Sequence, residues 1–422
     1  MTDPPTDAHR GRSARLLTFL LILMAAALLA LAGGMVARLA GSLAAGVDPA
    51  FALRPAPAGA GASAADSFPA GVERLDDRLE PIRAGHRVPA LAVAIVCGDS
   101  LCALGVVGVR RAGRPEPARW NDRFHIGSDT KAMTATVAAM LIDEGRLRWG
   151  TTLAELFPEL GTRMRPEYRG VTVELLMHHR SGLPDDRSDV TFFHRMRRLA
   201  GTERAQRMRA VEIALARAPA YPPGTKNVYA NMNFNILGTA IERITGDSWE
   251  SQVRRRLYEP LGMRSAGFGS PNTPGRLDQP WGHRVSERWP PRLNWIARTQ
   301  LPVASAASGN VSLSMRDWAR FASLHLRAAR GDCRLLACPT FSRLHEEQPP
   351  GSHFAAGWGV ARDDSIGTML QHAGSDGWWY AAITIAPERD RAILIATNVG
   401  GERAEEACED AYRLAWKAAF RR

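Results

Sequence analysis

Two pairs of short apolar runs, one early in the chain and one near its end, constrain the fold more than any other feature. The first pair covers residues 91–97 and 101–109, and the second covers residues 379–386 and 392–397. Each pair is rich in Val, Ile, Leu and Ala and is interrupted by a short turn segment, a pattern typical of β-hairpins. Residues 152–265, which lie between the pairs, show helix and loop patterns. We therefore predict an α+β fold in which one antiparallel sheet, formed from both termini and flanked by helices, is interrupted by an inserted, mainly helical domain.

Three further segments have helical patterns, at residues 71–86, 128–144 and 402–420. The second of these ends at Gly145, as helices commonly do. A chain of 422 residues is long for one domain, which predicts one large folded unit with additional segments. We divide it into a membrane anchor or signal segment at 1–40, an Ala/Gly/Pro-rich linker at 41–70 and the folded domain at 71–422.

An uncharged apolar run occupies residues 16–37 and follows Arg10, Arg12 and Arg15. A helix of about 20 such residues spans a bilayer. The preceding arginines predict that the N-terminus stays inside and the rest lies outside. A cleaved signal peptide usually has a shorter apolar core, so we favour an uncleaved anchor over a cleaved signal. The folded domain is then expected on the outer, periplasmic or extracellular side, or secreted if the segment is removed.

The five cysteines include two pairs with the same spacing, Cys97 with Cys102 and Cys333 with Cys338, and leave Cys408 over. In an oxidising compartment such pairs form local disulfides. Five buried thiols are the alternative. Neither spacing matches a structural zinc site, and no metal or cofactor is expected.

Ser128 and Lys131 stand at the start of the predicted helix at 128–144. Residues three apart share a helix face, so the lysine amine is expected beside the serine hydroxyl. A serine hydroxyl needs a neighbouring base to become a nucleophile, and a buried lysine can lose its charge and act as that base. The chain has three lysines among 54 basic residues, and arginine cannot take this role because it stays protonated. A lone Ser-x-x-Lys pair is nevertheless a weak signal.

Two later motifs strengthen the interpretation of Ser128 and Lys131 as a nucleophile and its base. Tyr229 and Asn231 form a Tyr-x-Asn motif just before a helical run, where a phenol can move a proton and an amide can orient Lys131 and substrate. Later, a strand of small residues carries one more motif, which allows close approach of a substrate backbone and offers the Ser375 N–H as an oxyanion donor. Its residues are His372, Ala373, Gly374 and Ser375.

Taken together, these motifs resemble the class C β-lactamase-like family of serine hydrolases, from about residue 72 to residue 412. Four other segments also match, and all stand in the family's order: 143–147, 171–184, 258–263 and 354–359. The resemblance implies a β-lactamase/transpeptidase-like fold and an acyl-enzyme cycle. In that cycle Ser128 is the nucleophile, Lys131 and Tyr229 move protons, and the N–H groups of Ser128 and Ser375 hold the oxyanion.

The third motif departs from the family pattern, which usually has lysine followed by Thr or Ser where this chain has His372 and Ala373. Histidine near neutral pH can be uncharged, and alanine has no hydroxyl, so this motif lacks the groups that usually bind a β-lactam carboxylate. We therefore expect an esterase-like enzyme acting on small esters or amides. The alternatives are a D-amino-acid peptidase or carboxypeptidase acting on cell-wall peptides, and a catalytically silent ligand-binding module.

Other features are given structural interpretations. Residues 98–101 are assigned to a hairpin turn, and the adjacent His178 and His179 to a loop or helix end. Six arginines of the helical insert are assigned to a solvated helix face; they are Arg195, Arg197, Arg198, Arg204, Arg207 and Arg209. Nucleic-acid binding is not expected, and the oligomeric state is left open.

Overall fold

Strand β2 (Ala90–Cys97) pairs directly with strand β13 (Arg391–Thr397), so the two predicted hairpins join into one sheet. The computed structural model describes residues 67–187, 189–273, 275–286, 293–296 and 301–420. The apolar run at 16–37 and the linker as far as residue 66 lie outside the described residues. Within the described part, no helix combines the length and apolar character needed to cross a membrane.

Within the described ranges, the central sheet has eight strands in the order β1-β3-β2-β13-β12-β11-β10-β9. All neighbours in it are antiparallel except β1 and β3. Besides β2 and β13, its strands are β1 (Glu73–Arg74), β3 (Ser100–Gly108), β9 (Phe354–Ala355), β10 (Trp358–Asp363), β11 (Gly367–Ser375) and β12 (Tyr380–Ala386). The predicted antiparallel sheet formed from both termini is confirmed.

The described residues also form two three-stranded sheets, β4-β8-β5 and β14-β6-β7. Their strands are β4 (Arg123–His125), β5 (Gly267–Phe268), β6 (Gly282–Val285), β7 (Leu293–Ile296), β8 (Val311–Ser314) and β14 (Val399–Gly400).

The helices lie mainly between β3 and β9. In chain order they are α1 (Asp76–Gly85), α2 (Thr130–Asp143), α3 (Leu153–Leu156), α4 (Pro166–Arg169), α5 (Val173–Met177), α6 (Val190–Arg197), α7 (Glu203–Leu215), α8 (Asn231–Thr245), α9 (Trp249–Val253), α10 (Glu259–Leu261), α11 (Ala306–Gly309), α12 (Met315–Ala329), α13 (Cys338–His345) and α14 (Glu402–Phe420). Short 3₁₀ turns occur at Gly127–Asp129, Pro158–Arg163, Val303–Ser305 and Pro387–Arg389, and a π turn at Arg254–Tyr258.

Both faces of the central sheet are covered. In β2, Leu91 and Val93 pack with α1 and α14 on one face, whereas Ala92 and Ala94 face the larger core that includes α12. Successive strand residues point to opposite faces, so a strand without polar alternation is expected where both faces are buried. Helix α2 is buried from Thr130 through Leu141 and packs against α8, α9, α11 and α13.

Several boundaries and assignments differ from the sequence predictions. The first helix begins at Asp76 because Glu73–Arg74 pairs in parallel with β3. The solvated-face assignment is wrong for Arg207, which is 5% exposed and pairs with Glu242 and Glu250. Both predicted disulfides are present, and Cys408 is a buried free thiol.

Candidate active site

Ser128 lies in the 3₁₀ turn Gly127–Asp129, between β4 and α2. The sequence pattern predicts it instead at the start of the α-helix. Gly127 adopts a left-handed backbone, φ 49°, and the Thr130 hydroxyl donates to its carbonyl oxygen over 2.7 Å. In the described part of the chain no side chain caps α2, so the Ser128 hydroxyl is not used as a cap. Ser128 is partly exposed at the N-terminal end of a buried helix, where backbone N–H groups favour negative charge.

Lys131 is fully buried, and its amine contacts three uncharged oxygen atoms. Nζ lies 3.0 Å from Ser128 Oγ, 2.8 Å from Asn231 Oδ1 and 2.7 Å from the Ser308 carbonyl oxygen in α11. An ammonium has three N–H donors, and this arrangement uses all three without a carboxylate contact. The structure thus brings together Ser128, Lys131 and Asn231, three of the residues that the sequence motifs single out.

The groups around Lys131 shift the pKa of its amine in opposite directions. Burial lowers the pKa of its amine to about 7, while Asp186 and Asp129 raise this pKa and Arg187 lowers it. Near neutral pH the amine therefore exchanges readily between charged and neutral forms, the property that a general base needs.

Asp186 fixes the start of α8 and was not identified from the sequence. Its carboxylate accepts hydrogen bonds from the backbone N–H groups of Asn231 and Met232, each at 2.8 Å. It thereby caps the helix N-terminus and holds Asn231 in position against Lys131. Burial raises the pKa of the Asp186 carboxyl, whereas the two backbone hydrogen bonds lower it.

Tyr229 contacts Ser128, and its ring lies close to Lys131 and Arg187. Its side chain forms a hydrogen bond with Ser128, and burial raises the pKa of its hydroxyl above the usual range. Lys131 Nζ and Arg187 Cζ each lie 4.9 Å from the centre of its ring. The phenol therefore contacts the same serine hydroxyl as the lysine amine.

Strand β11 passes directly over the nucleophile turn, and two glycines permit the approach. A Cβ added at Gly374 would lie 2.0 Å from the Ile126 carbonyl oxygen and 2.7 Å from the Ser128 nitrogen. One added at Gly127 would lie 2.5 Å from the Ser375 nitrogen. The backbone nitrogens of Ser128 and Ser375 therefore stand at one junction, as an oxyanion site requires.

His372, which precedes this junction on β11, is neutral at physiological pH. Burial lowers the pKa of its ring to about 3, and the charge of Lys131 acts in the same direction. Its Nδ1 lies 2.9 Å from the carbonyl oxygen of Ala373. The third motif thus supplies neither a cation at 372 nor a hydroxyl at 373.

Comparison with known proteins agrees with this architecture. The family description "Beta-lactamase" matches residues 75–416 of the chain. The chain belongs to the beta-lactamase family. It is therefore a beta-lactamase-family serine hydrolase with a β-lactamase/transpeptidase-like fold.

Individual relatives of this beta-lactamase-family chain are distant. Penicillin-binding protein 4 from Amycolatopsis lactamdurans is 28% identical over 336 residues, which cover 77% of this chain and 84% of that protein. The octameric penicillin-binding protein homologue from Pyrococcus abyssi superposes with a TM-score of 0.67 at 20% identity, over 80% of this chain and 76% of that one. The D-stereospecific amidohydrolase from Streptomyces sp. superposes with a TM-score of 0.61 at 21% identity, over 82% of this chain and 97% of that one.

The beta-lactamase-family site also includes His179, which was assigned to a loop or helix end. It does follow helix α5, but its ring stacks on Tyr229 with centres 4.5 Å apart. The adjacent His178 instead contacts the carbonyl oxygens of Glu174 and Glu346. No spacing signal distinguishes the two histidines, because the contact with Tyr229 joins segments 50 residues apart.

Proposed function

We propose that this protein hydrolyses esters or small amides through an acyl-enzyme on Ser128. The observation that carries the proposal is the buried Lys131 amine, 3.0 Å from the Ser128 hydroxyl, with a pKa of about 7. Serine becomes a nucleophile when such a base removes its proton.

In the acylation step, Ser128 Oγ attacks the substrate carbonyl carbon while its proton passes to Lys131 Nζ. The carbonyl oxygen becomes an oxyanion held by the N–H groups of Ser128 and Ser375. When the intermediate collapses, the bond to the leaving group breaks, and Tyr229 relays a proton from Lys131 to the departing alcohol or amine. An ester between Ser128 and the acyl group remains.

Deacylation repeats these steps with water as the nucleophile. Lys131 with Tyr229 takes a proton from the attacking water, and the same two N–H groups hold the second oxyanion. Collapse breaks the bond to Ser128 Oγ, which regains its proton, and a carboxylic acid leaves. The cycle consumes one water per substrate and needs no cofactor.

The neutral His372 and the absence of a hydroxyl at Ala373 argue for substrates without a carboxylate at this position. A lysine there would supply a permanent cation for the carboxylate of a penicillin. We therefore expect weak or no β-lactamase activity.

A second candidate is hydrolysis of D-amino-acid amides or cell-wall peptides. Its support is the likeness to the D-stereospecific amidohydrolase from Streptomyces sp. and to penicillin-binding protein 4. The same acyl-enzyme chemistry serves both candidates, and they differ in the groups that surround the scissile bond.

We also propose that the enzyme works outside the cytoplasm, tethered by residues 16–37 or released after their removal. Its support is the apolar run behind three arginines and the two local disulfides, Cys97–Cys102 and Cys333–Cys338, which are typical of oxidising compartments.

The test of substrate class compares p-nitrophenyl acetate, D-alanine p-nitroanilide, its L-enantiomer and the chromogenic cephalosporin nitrocefin, with a Ser128→Ala control. We expect turnover of the ester, lost in the control on the scale of 10⁶-fold reported for catalytic serines. Preference for the D-anilide over the ester would favour the second candidate. Fast nitrocefin hydrolysis would contradict the argument from His372.

A further inference from the structure

His179 contacts Tyr229 and both of its neighbours in the chain. Its carbonyl oxygen accepts the N–H of Val228 over 2.8 Å, and its ring Nδ1 accepts the N–H of Ala230 over 3.2 Å. These are the residues immediately before and after Tyr229. The imidazole itself stacks on the tyrosine ring, with centres 4.5 Å apart and planes inclined by 26°.

The ring of His179 is itself held firmly. It is 3% exposed, lies against Phe234 and Phe354, and its Nδ1 is 3.1 Å from the side-chain nitrogen of Asn233. Since Nδ1 accepts from both Ala230 and Asn233, the proton of the neutral ring belongs on Nε2.

The surroundings keep this ring neutral. Burial lowers the pKa of His179 well below the usual range, and Lys131, His372, His178 and Arg187 all act in the same direction. A protonated ring would turn Nδ1 into a donor facing the Ala230 and Asn233 donors. It would also add a cation close to Lys131.

We propose that His179 is a positioning residue, which fixes the backbone and ring of Tyr229 so that its hydroxyl stays on Ser128. This inference rests on the proposed function, because it concerns the proton that Tyr229 moves during acylation. Among the described residues, no hydrogen bond or ring contact of His179 reaches Ser128 or Lys131, so its influence on the reaction passes through Tyr229.

The chain offers a matched pair of variants. His179→Asn keeps a side-chain acceptor near Nδ1 and suits the left-handed backbone of this residue, φ 56°, but removes the stacked ring. His178→Asn alters a histidine that is equally buried yet bonds to Glu174 and Glu346, away from Tyr229. Thermal unfolding of each variant reports its fold, and His179→Phe, which keeps a ring and loses the acceptor, is a second route if His179→Asn does not fold.

The experiment measures kcat and KM for phenyl acetate in wild type, His179→Asn, Tyr229→Phe and the double variant. We expect His179→Asn to lower kcat on the order of ten-fold with little change in KM, and to lower it less than about two-fold when Tyr229 is already Phe. The loss should be smaller with p-nitrophenyl acetate, whose leaving group needs less protonation. His178→Asn should show none of this pattern.

An unchanged kcat in His179→Asn, an equal loss in both backgrounds, or the same pattern in His178→Asn would overturn the inference. The proposed function is tested separately, by comparing the turnover of wild type with that of Ser128→Ala. If wild-type turnover survives Ser128→Ala, the proposed function fails and this inference fails with it. If turnover depends on Ser128 and the His179 variants behave as wild type, this inference alone fails.

Discussion

Gly127 and Ser375 are in backbone contact: a Cβ on the glycine would lie 2.5 Å from the serine nitrogen. Real Cβ atoms do not approach this closely, so strand β11 and the nucleophile turn can meet only because both Gly127 and Gly374 lack side chains. This contact brings the backbone nitrogens of Ser128 and Ser375 together. The proposed oxyanion site thus depends on two glycines that contribute no functional group.

Gly374→Ala is expected to displace the strand from the turn, since its Cβ would meet the Ile126 oxygen at 2.0 Å. Loss of one oxyanion donor costs about 10²–10³-fold in kcat, and we expect a fall on that scale. Gly85→Ala is the matched control, because its Cβ enters open space with an ordinary backbone. A Gly374→Ala variant with the kcat of wild type would contradict the assignment.

The pH dependence of acylation should report Lys131. Only the neutral amine accepts the Ser128 proton, so kcat/KM should rise with pH to a plateau, with a midpoint near the pKa of about 7. Asp186 raises this pKa, so Asp186→Asn should move the midpoint to lower pH. Arg187 lowers it, so Arg187→Gln should move the midpoint to higher pH. Shifts in the same direction would argue against Lys131 as the titrating group.

Arg207 should contribute strongly to stability although it is far along the chain from its partners. It is 5% exposed and pairs with Glu242, which is 2% exposed, and with Glu250. Arg207→Ala leaves a buried carboxylate unpaired and should cost about 3–5 kcal/mol in the free energy of unfolding. Arg209→Ala, on the same helix, removes an exposed arginine from its pair with the half-buried Glu212 and should cost less than about 1 kcal/mol. Equal losses in urea unfolding would refute the distinction.

The cysteines should show a specific alkylation pattern. Protein obtained from an oxidising compartment and denatured without reductant should take one alkyl group, on Cys408, because the other four cysteines are paired. Reduction before alkylation should raise the number to five. Five groups without reduction, counted by intact mass, would exclude both disulfides.

Local patterns predicted much of the fold and part of the site. The hairpins follow from alternation and turn residues, and the proximity of Ser128 to Lys131 follows from their spacing of three. Strands at both ends of the chain with helices between them predict one antiparallel sheet, but the pairing of β2 with β13 that joins the two hairpins is known only from the structure.

Contacts between segments that are distant in the chain could not be predicted from local sequence patterns. Asp186 caps α8 from 45 residues earlier, and the Ser308 carbonyl reaches Lys131 from 177 residues later. The burial of Arg207 likewise depends on glutamates in later helices, so its charge pattern resembled that of a solvated face. Such contacts are set by packing, which has no local signature.

The most direct test of the account is where and how fast a fluorophosphonate reacts. Intact mass and peptide mapping should show one adduct on wild type, at Ser128, and none on Ser128→Ala. Lys131→Met, which keeps the volume of the side chain but removes the base, should slow labelling by about 10²–10⁴-fold. Lys417→Met, on the exposed last turn of α14, should react as wild type does. An adduct on another residue, or unchanged labelling of Lys131→Met, would contradict the proposal that Lys131 activates Ser128.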